Sequence, residues 1–397
     1  GVVTTLAGGG SGTSTDGTGT SASFNNPRGI TTDGTNLYVA DLENNKIRKI
    51  VISTGVVSTF ASGFNKPAGI ILVGSNLYVA DTYNHRISKI DSSGTVSTLA
   101  GSGSSGSADG AGTSASFQYP QGLISDGTNL YVTDTNNHKI RKIVISSGVV
   151  TTLAGPAAGS SSSGSFDGTG TSASFKYPQG ITIDGTNLYV ADSENHKIRK
   201  IVISTGVVTT LAGSGTAGSA DGTGISASFN KPRGMTIVEG NLYVVDASNH
   251  KIRKIVISTG VVTTLAGSTA GSTNATGTSA QFDNPTGITN DGTNLYVADS
   301  NNNKIRKIVI STGEVTTLAG SGNQAFADGT GAAASFYNPA GITTDNGTNL
   351  YVADTDNHRI RQIVISTGVV TTLVGSGTAT FADGTGTAAS FYLPKGI

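Results

Sequence analysis

Short apolar runs recur along this chain at a nearly constant interval, with turn-forming polar residues between them. Most units are about 55 residues long, and the second follows a shortened connection. A fixed period of this kind is typical of repeat architectures, so a side chain present in every unit is expected to hold that unit together. The phrase Asn-Leu-Tyr-Val-x-Asp marks the seven units, with its tyrosine at Tyr38, Tyr78, Tyr131, Tyr189, Tyr243, Tyr296 and Tyr351.

Within one unit the pattern predicts four short antiparallel strands. The run Leu-Tyr-Val-Ala is apolar at consecutive positions, as in a strand that is covered on both faces. No window has a sustained 3.6-residue apolar period, so almost no helix is expected. Seven such units predict an all-β chain, a β-propeller with seven four-stranded blades. In the first unit the predicted strands are residues 29–32, 37–40, 46–54 and 56–60.

Long connections join the fourth strand of one unit to the first strand of the next. They contain Asp-Gly-x-Gly and then Phe-x-x-Pro-x-Gly, and eight of the nine prolines lie in the second motif. Proline fixes φ immediately before the first strand, and we expect the phenylalanine to fill the space between blades. In the second unit Phe64 and Pro67 remain but the Asp-Gly segment is missing. This segment, the insertion, is therefore interpreted as dispensable.

The complete unit resembles the NHL repeat over essentially the whole chain. Its elements are Pro-x-Gly-Ile, then Asp-Gly-x-Asn-Leu-Tyr-Val-Ala-Asp-x-x-Asn-His-x-Ile-Arg-Lys-Ile, then Gly-Val-Val-Thr-Thr-Leu-Ala-Gly. The resemblance implies a β-propeller, and the Ala-Asp-Gly-x-Gly-x-Ala-x-Phe insertion is similar to that of bacterial and extracellular members. The family includes protein-binding platforms, RNA-binding propellers, sensor domains and a zinc-dependent peptidyl-amidating lyase, so the resemblance does not choose the function.

The chain is expected to form one domain, residues 1–397, with redundant ends. Residues 1–30 align with residues 368–397, so seven copies of the middle two strands accompany eight first strands and eight fourth strands. Three interpretations are open. The chain is cut from a longer array, or an end segment closes the ring within the chain, or the spare segment completes a blade in a neighbouring copy.

The composition limits the classes of partner and the cellular location that are expected for this chain. The 25 basic and 25 acidic residues cancel, which gives no reason to expect nucleic acid as a partner. No stretch approaches the ~20 apolar residues that cross a bilayer, so membrane insertion is not expected. Cysteine is absent, which excludes disulfides and thiol nucleophiles. A surface rich in Ser, Thr, Gly and Asn without thiols favours a secreted protein, extracellular or in the cell envelope.

The histidines are candidates for a metal site because a catalytic zinc centre needs converging imidazoles. All occupy one position, in Asp-x-x-Asn-His, and two units carry Asn45 and Asn303 there instead. Asparagine is a poor zinc ligand, so each histidine is interpreted as a hydrogen-bond partner of its own unit's aspartate, for instance His85 with Asp81. No metal residue and no cofactor is assigned. The five are His85, His138, His196, His250 and His358.

The cations and the aspartates of the insertions also recur from unit to unit. Nineteen of the 25 basic residues lie in the third-strand motif, as Arg48 does, and are interpreted as inter-blade or rim charges satisfied by acids such as Asp41. An RNA-binding patch is the alternative. Each insertion offers one aspartate, such as Asp109, whereas calcium needs six to eight oxygens, so a turn-forming role is expected. The sequence has no Gly-x-Ser-x-Gly elbow and no unrepeated cluster of titratable residues, so no catalytic residue is assigned.

Positions that differ between otherwise similar units are the candidates for a binding surface. They lie within or beside Phe-x-x-Pro-x-Gly, which a propeller places near one mouth of its channel. The alternative is that these loop positions simply tolerate change. The candidates are Arg28, Lys66, Tyr119, Lys176, Tyr177, Arg233 and Tyr337.

Together these features predict a non-catalytic scaffold or binding module whose loop face meets a protein, a glycan or copies of itself. Self-assembly is part of this hypothesis. The alternative is a metal-dependent lyase or hydrolase with its site in the central channel. A stoichiometric metal ion in the purified protein would favour the enzyme.

Overall fold

A computed structural model describes residues 16–18, 27–51, 56–345, 347–357 and 359–374 of the chain. These residues form seven antiparallel sheets, the blades of a seven-bladed β-propeller, which confirms the predicted fold class. Most of the two redundant ends lies outside the described residues. The chain divides into two compact units, one comprising Ala68–Thr264 and the other Gly1–Pro67 together with Leu265–Ile397.

The unit that contains both chain ends holds three sheets. Sheet 1 consists of β1 (Gly17–Thr18), β2 (Pro27–Thr32), β3 (Asn36–Asp41), β4 (Lys46–Val51) and β5 (Val56–Ser62). Sheet 6 consists of β25 (Ala275–Thr276), β26 (Ile288–Asn290), β27 (Asn294–Asp299), β28 (Lys304–Val309) and β29 (Glu314–Ala319). Sheet 7 consists of β30 (Gly329–Thr330), β31 (Pro339–Thr344), β32 (Asn349–Asp354), β33 (Arg359–Val364) and β34 (Val369–Val374).

Four sheets belong mainly to the second unit, and one strand in the first and one in the last of them cross its boundaries. Sheet 2 consists of β6 (Pro67–Val73), β7 (Asn76–Asp81), β8 (Arg86–Ile90) and β9 (Val96–Ala100). Sheet 3 consists of β10 (Gly110–Ala111), β11 (Pro120–Ser125), β12 (Asn129–Asp134), β13 (Lys139–Val144) and β14 (Val149–Ala154). Sheet 4 consists of β15 (Gly168–Thr169), β16 (Pro178–Ile183), β17 (Asn187–Asp192), β18 (Lys197–Val202) and β19 (Val207–Ala212). Sheet 5 consists of β20 (Gly222–Thr223), β21 (Pro232–Val238), β22 (Asn241–Asp246), β23 (Lys251–Val256) and β24 (Val261–Ala266).

The helical segments of the described chain are 3-10 turns of three residues, and none is long or apolar enough to cross a bilayer. Six follow the second strand of a repeat: Thr82–Asn84, Thr135–Asn137, Ser193–Asn195, Ala247–Asn249, Ser300–Asn302 and Thr355–Asn357. Five follow a two-residue strand: Gly112–Ser114, Gly170–Ser172, Gly224–Ser226, Gly277–Ser279 and Gly331–Ala333.

Six sheets contain a fifth strand that the four-strand prediction missed. In sheet 3 it is β10, which pairs with β14 through Gly110 opposite Val150 and Ala111 opposite Val149. The fifth strand is the Asp-Gly insertion itself, which precedes the repeat's first strand in sequence but pairs with its fourth strand. Sheet 2, whose connection is short, has four strands.

Within each unit the hydrophobic core lies between consecutive sheets. Tyr78 and Ile87 of sheet 2 pack with Phe117, Leu130 and Val150 of sheet 3 and its connection, and all five are at most 1% exposed. The prediction that the recurrent tyrosine and the connection phenylalanine are core residues is therefore confirmed at these positions. The second strand of sheet 3 is buried throughout because Leu130 and Val132 pack toward sheet 2 and Tyr131 packs toward sheet 4.

The first strands of neighbouring sheets approach closely. A Cβ atom added to Gly180 in β16 would lie 2.1 Å from the carbonyl oxygen of Arg233 in β21. Only glycine leaves room for this contact, and the same holds for Gly69 beside the carbonyl of Gln121 and for Gly287 beside that of Ala340.

Candidate functional site

One arginine in the third strand of six sheets is fully buried and is hydrogen-bonded through both terminal nitrogens of its guanidinium group. Arg141 donates from Nη1 to Asp134 at 2.9 Å and from Nη2 to Asp109 at 2.8 Å. Its guanidinium carbon lies 5.0 Å from the centre of the Phe117 ring. The prediction that the recurrent cations are paired with acids is confirmed for these residues. The arginines are Arg48, Arg141, Arg199, Arg253, Arg306 and Arg361.

The insertion aspartate is part of this cluster and does more than form a turn. Asp109 accepts hydrogen bonds from Arg141 and from the Thr152 hydroxyl at 2.9 Å, because β10 brings it alongside the third and fourth strands. In sheet 6 the amide oxygen of Asn274 takes its place and accepts from Arg306 at 2.8 Å. The expected turn-forming role is thus incomplete, since this residue links the insertion to the buried arginine.

Several buried carboxylates of the cluster have raised pKa values, but each already has hydrogen-bond and ion-pair partners in its own repeat. Burial raises the pKa of Asp299 to about 6, although Arg306 and the backbone N–H of Asp283 favour its charged form. Burial likewise raises the pKa of Asp134 and Asp192. Perturbed acids often mark active sites, but here each carboxylate is held by its own sheet.

The recurrent tyrosines close a turn in their own repeat. The Tyr131 hydroxyl donates to Asp126 at 2.7 Å, and burial together with this bond raises the pKa of Tyr131. Burial opposes ionisation of Asp126, but hydrogen bonds from Asn129, Tyr131 and the backbone hold the pKa of Asp126 below its usual value. Burial and the bond to Asp33 raise the pKa of Tyr38 to about 12.

The histidines connect consecutive repeats. The 3-10 turn after the second strand ends at a residue with positive φ, which is His85 in sheet 2 and His138 in sheet 3. Nδ1 of His85 accepts the backbone N–H of Tyr119 at 3.4 Å, and Nδ1 of His138 accepts that of Tyr177 at 3.2 Å. Nδ1 is therefore unprotonated, and burial lowers the pKa of both histidines.

The predicted pairing of each histidine with its own repeat's aspartate is wrong for His85. Asp81 accepts instead from Asn84 at 3.0 Å and Arg86 at 2.7 Å. The left-handed end of the turn places the imidazole against the next repeat. His358 lies outside the described residues.

Asparagine substitutes for histidine in the same contact. Asn45 Oδ1 accepts the backbone N–H of Lys66 at 2.8 Å. Asn303 Oδ1 accepts that of Asn338, also at 2.8 Å. Interchange of the two residue types therefore reflects a shared acceptor, which requires no metal.

Three predicted surface residues lie in the unit that contains the chain ends. The Lys66 ammonium forms an ion pair with Glu43 at 3.0 Å. The backbone N–H of Tyr337 donates to Asp354 at 2.7 Å. The backbone of Arg28 lies in β2, and its side chain lies outside the described part of the structure.

The other predicted residues lie on successive connections of the unit that comprises Ala68–Thr264. The Tyr119 ring meets His85 edge-on, with centroids 4.9 Å apart, and the Tyr177 ring meets His138 at 4.7 Å. Both tyrosines precede a proline and have φ near 50°, a conformation that bulky residues rarely adopt.

Exposed aromatic rings and basic side chains lie on the same connections as these tyrosine–histidine contacts or on the turns and strands next to them. Tyr177 is 42% exposed, and Lys176 beside it is exposed and makes no ion pair with any described residue. Tyr83, which sequence reasoning missed, is 47% exposed and packs against Tyr119 with centroids 5.0 Å apart. The signal was available, because Tyr83 occupies a turn position that holds no aromatic residue in the other repeats. Arg233 is partly exposed on β21.

The described residues offer little other chemistry. Within the described residues no group of three His, Asp or Glu side chains could hold a metal ion. A cavity of ≈ 100 Å³ has no carboxylate and no cation among its described lining residues, which are Thr31, Thr32, Leu37, Thr343, Thr344 and Tyr351. The Tyr351 hydroxyl donates to Asp345 at 3.2 Å.

Comparison with known proteins identifies the repeat. A family model for the NHL repeat matches residues 175–201 and 336–363. The bovine protein NHL repeat-containing protein 2 is 31% identical over 312 residues, which cover 70% of this chain. The chain is an NHL-repeat protein.

A plant relative extends the comparison. This NHL-repeat chain is 32% identical over 289 residues, 68% of its length, to Protein SUPPRESSOR OF QUENCHING 1, chloroplastic, from Arabidopsis thaliana. The matches span 43% of the bovine protein and 27% of the plant protein. The NHL-repeat chain therefore covers less than half the length of these relatives.

Among solved structures, the NHL-repeat chain is similar to virginiamycin B lyase from Staphylococcus aureus. The TM-score is 0.54 at 17% identity, and the match covers 82% of this chain and 91% of the lyase. At this identity the likeness shows the fold alone.

Proposed function

We propose that this NHL-repeat chain is a non-catalytic binding module. Its binding surface would be formed by Tyr83, Tyr119, Lys176, Tyr177 and Arg233, and we name this set the tyrosine surface. The observation that carries the proposal is the contrast between shared and unshared residues. The arginines, aspartates and histidines that recur are engaged within or between repeats, whereas the unshared residues present rings and cations to solvent.

The chemistry of the tyrosine surface suits a protein or glycan partner. Tyrosine and arginine contribute most at interfaces, because large rigid side chains bury area at a low entropic cost. Tyr83 and Tyr177 leave nearly half of their surface available. Lys176 and Arg233 add positive charge without an ion-pair partner among the described residues, which favours acidic or strongly polar groups on the partner.

A screen with a matched control tests this proposal. A displayed-peptide library and a glycan array are probed with the wild-type chain, with a Tyr83→Ala/Tyr177→Ala variant and with Ile225→Ala, which removes an exposed apolar residue elsewhere. Ligands that bind the wild type and Ile225→Ala, but bind the double variant at least tenfold more weakly, support the surface. Ligands that bind all three equally would contradict it.

A lyase or hydrolase is the second candidate, and the fold-level likeness to virginiamycin B lyase is what favours it. Elemental analysis of the purified protein separates the two candidates, since one tightly held metal ion per chain would favour the enzyme.

We also propose that the chain self-assembles, which the redundant end segments support, and that it is extracellular or in the cell envelope, which the thiol-free composition supports. Sedimentation at several concentrations tests the first, and fractionation of the source cells tests the second.

A further inference from the structure

Among the described residues, sheet 2 has an unpaired edge where each of the other six sheets has a paired one. In those six, a two-residue strand pairs with the fourth strand, whereas no described residue pairs with the outer side of β9. Val96 in β9 is partly exposed. Its six counterparts, which occupy the same register position, are at most 1% exposed: Val57, Val150, Val208, Val262, Val315 and Val370.

In the other repeats the insertion aspartate or asparagine contacts an arginine of the third strand and a threonine of the fourth strand. The second repeat has the threonine, Thr98, but neither the insertion nor the arginine. Ser88 stands where the other repeats have the buried arginine, opposite Thr98 as Arg141 is opposite Thr152. The threonine is the group that donates to the insertion. In sheet 4, for example, Thr210 donates to Asp167 from its backbone N–H at 3.0 Å and from its hydroxyl at 2.8 Å.

Thr98 keeps both donors without the acceptor. Its hydroxyl makes no hydrogen bond with any described residue. The edge that contains it, Val-Ser-Thr-Leu-Ala, has no charged residue and no proline. These are the devices by which proteins usually prevent pairing at a sheet edge, so β9 is unprotected against an added strand.

Six internal examples define what fits such an edge. The strand that pairs there is small and extended, is preceded by Asp or Asn and is followed by glycine. Because Ser88 leaves no buried cation, a neutral acceptor suits sheet 2, as Asn274 serves in sheet 6. The six strands are Gly17–Thr18, Gly110–Ala111, Gly168–Thr169, Gly222–Thr223, Ala275–Thr276 and Gly329–Thr330.

We propose that the free edge of β9 binds an extended segment of a partner polypeptide with the pattern Asn-Gly-Thr-Gly. The segment adds a short antiparallel strand to sheet 2 and covers Val96, and its asparagine accepts from the N–H and hydroxyl of Thr98. This site is separate from the tyrosine surface and does not depend on the proposed function.

The absence of cysteine allows a site-specific test. A Ser97→Cys variant carries an environment-sensitive dye at the free edge. The matched control is Thr151→Cys, since both residues are exposed and face the third-strand lysine, but the edge of sheet 3 is already paired. The probe is the peptide Ala-Asn-Gly-Thr-Gly-Ile-Ser-Ala, which is the sequence of residues 220–227 with asparagine in place of Asp221.

Saturable binding of the peptide is expected at the label on residue 97 and not at the label on residue 151. Replacing the peptide's second glycine by proline should weaken binding at least tenfold, because the equivalent Gly224 donates its backbone N–H to Gly260, and proline has no N–H to make this bond. Adding Thr98→Val to the labelled chain should weaken binding by about 3–10-fold through the lost hydroxyl donor.

The absence of a response at residue 97 with millimolar peptide would overturn the proposal. Equal responses at the two labels, or unchanged affinity for the proline peptide, would do the same. A response of the label to unlabelled whole chain, without any response to the peptide, would also overturn it and assign the edge to contact between copies. Circular dichroism of each labelled variant verifies that the sheets are intact.

Discussion

Acid should weaken the contacts between consecutive repeats, because these contacts depend on neutral histidines. His85, His138 and His196 each accept a backbone N–H through Nδ1, which a protonated ring cannot do. Burial lowers the pKa of all three, so the unfolded chain takes up protons more readily than the folded chain. The stability that they confer is complete above about pH 7 and is lost as the pH falls through ~6.5 toward the lower values of the folded state.

The chain itself indicates which substitution to test. Asn45 and Asn303 make the same contact as the histidines, and asparagine does not titrate. The variant replaces His85, His138 and His196 by asparagine. Each of these hydrogen bonds is worth about 0.5–1 kcal/mol, so the three together contribute about 1.5–3 kcal/mol. With an unfolding entropy of ~2.1 cal/mol/K per residue over 397 residues, this corresponds to about 3 °C in Tm.

Scanning calorimetry of both proteins at pH 8 and pH 5 measures the effect. The two Tm values should agree within about 1 °C at pH 8, and the variant should melt about 3 °C higher at pH 5. Buried carboxylates such as Asp299, whose pKa burial raises to about 6, titrate in both proteins and cancel in the comparison. An equal loss of Tm in the two proteins would refute the assignment of acid sensitivity to the imidazoles.

Three further changes probe the packing, each followed by calorimetry. Arg199→Met leaves Asp192 buried without its counter-ion and should cost about 3–5 kcal/mol, so a Tm within 1 °C of wild type would contradict the buried pair. Asn274→Asp gives Arg306 a second charged partner besides Asp299 and should stabilise by up to about 1 kcal/mol, whereas a loss would argue against the contact of residue 274 with Arg306. Gly180→Ala places a methyl group against the carbonyl oxygen of the next first strand and should cost about 1–3 kcal/mol or more, and no change would mean that the strands separate freely.

The parts of the fold that could be predicted are those with a strong apolar signal. The run Leu37-Tyr38-Val39-Ala40 has no polar position, and burial on both faces is what it indicates and what the structure has. The phenylalanine of each connection could be assigned to the core for a similar reason, as Phe117 shows. The pairing of the third-strand cations followed from their recurrence beside acids.

The fifth strand could not be predicted, because two residues such as Gly110–Ala111 have no periodicity. The sequence nevertheless contained a signal that links the insertion to the buried arginine. The second repeat lacks the insertion, and it also has Ser88 in place of the arginine. The histidine contact was misassigned because spacing within the turn favours Asp81, whereas the left-handed φ of His85 decides which repeat it meets.

The tie between Asp109 and Arg141 joins two residues that are 32 positions apart yet belong to one repeat. Each insertion and the guanidinium that it satisfies are therefore inherited together when a complete unit is copied or deleted in the gene. A duplication or deletion whose boundary falls in a loop between sheets would change the number of blades without leaving a charge unpaired. A boundary between the aspartate and the arginine would remove one of them and leave the other unpaired. Because the pair belongs to one repeat, the second repeat can lack both residues while the other repeats keep them.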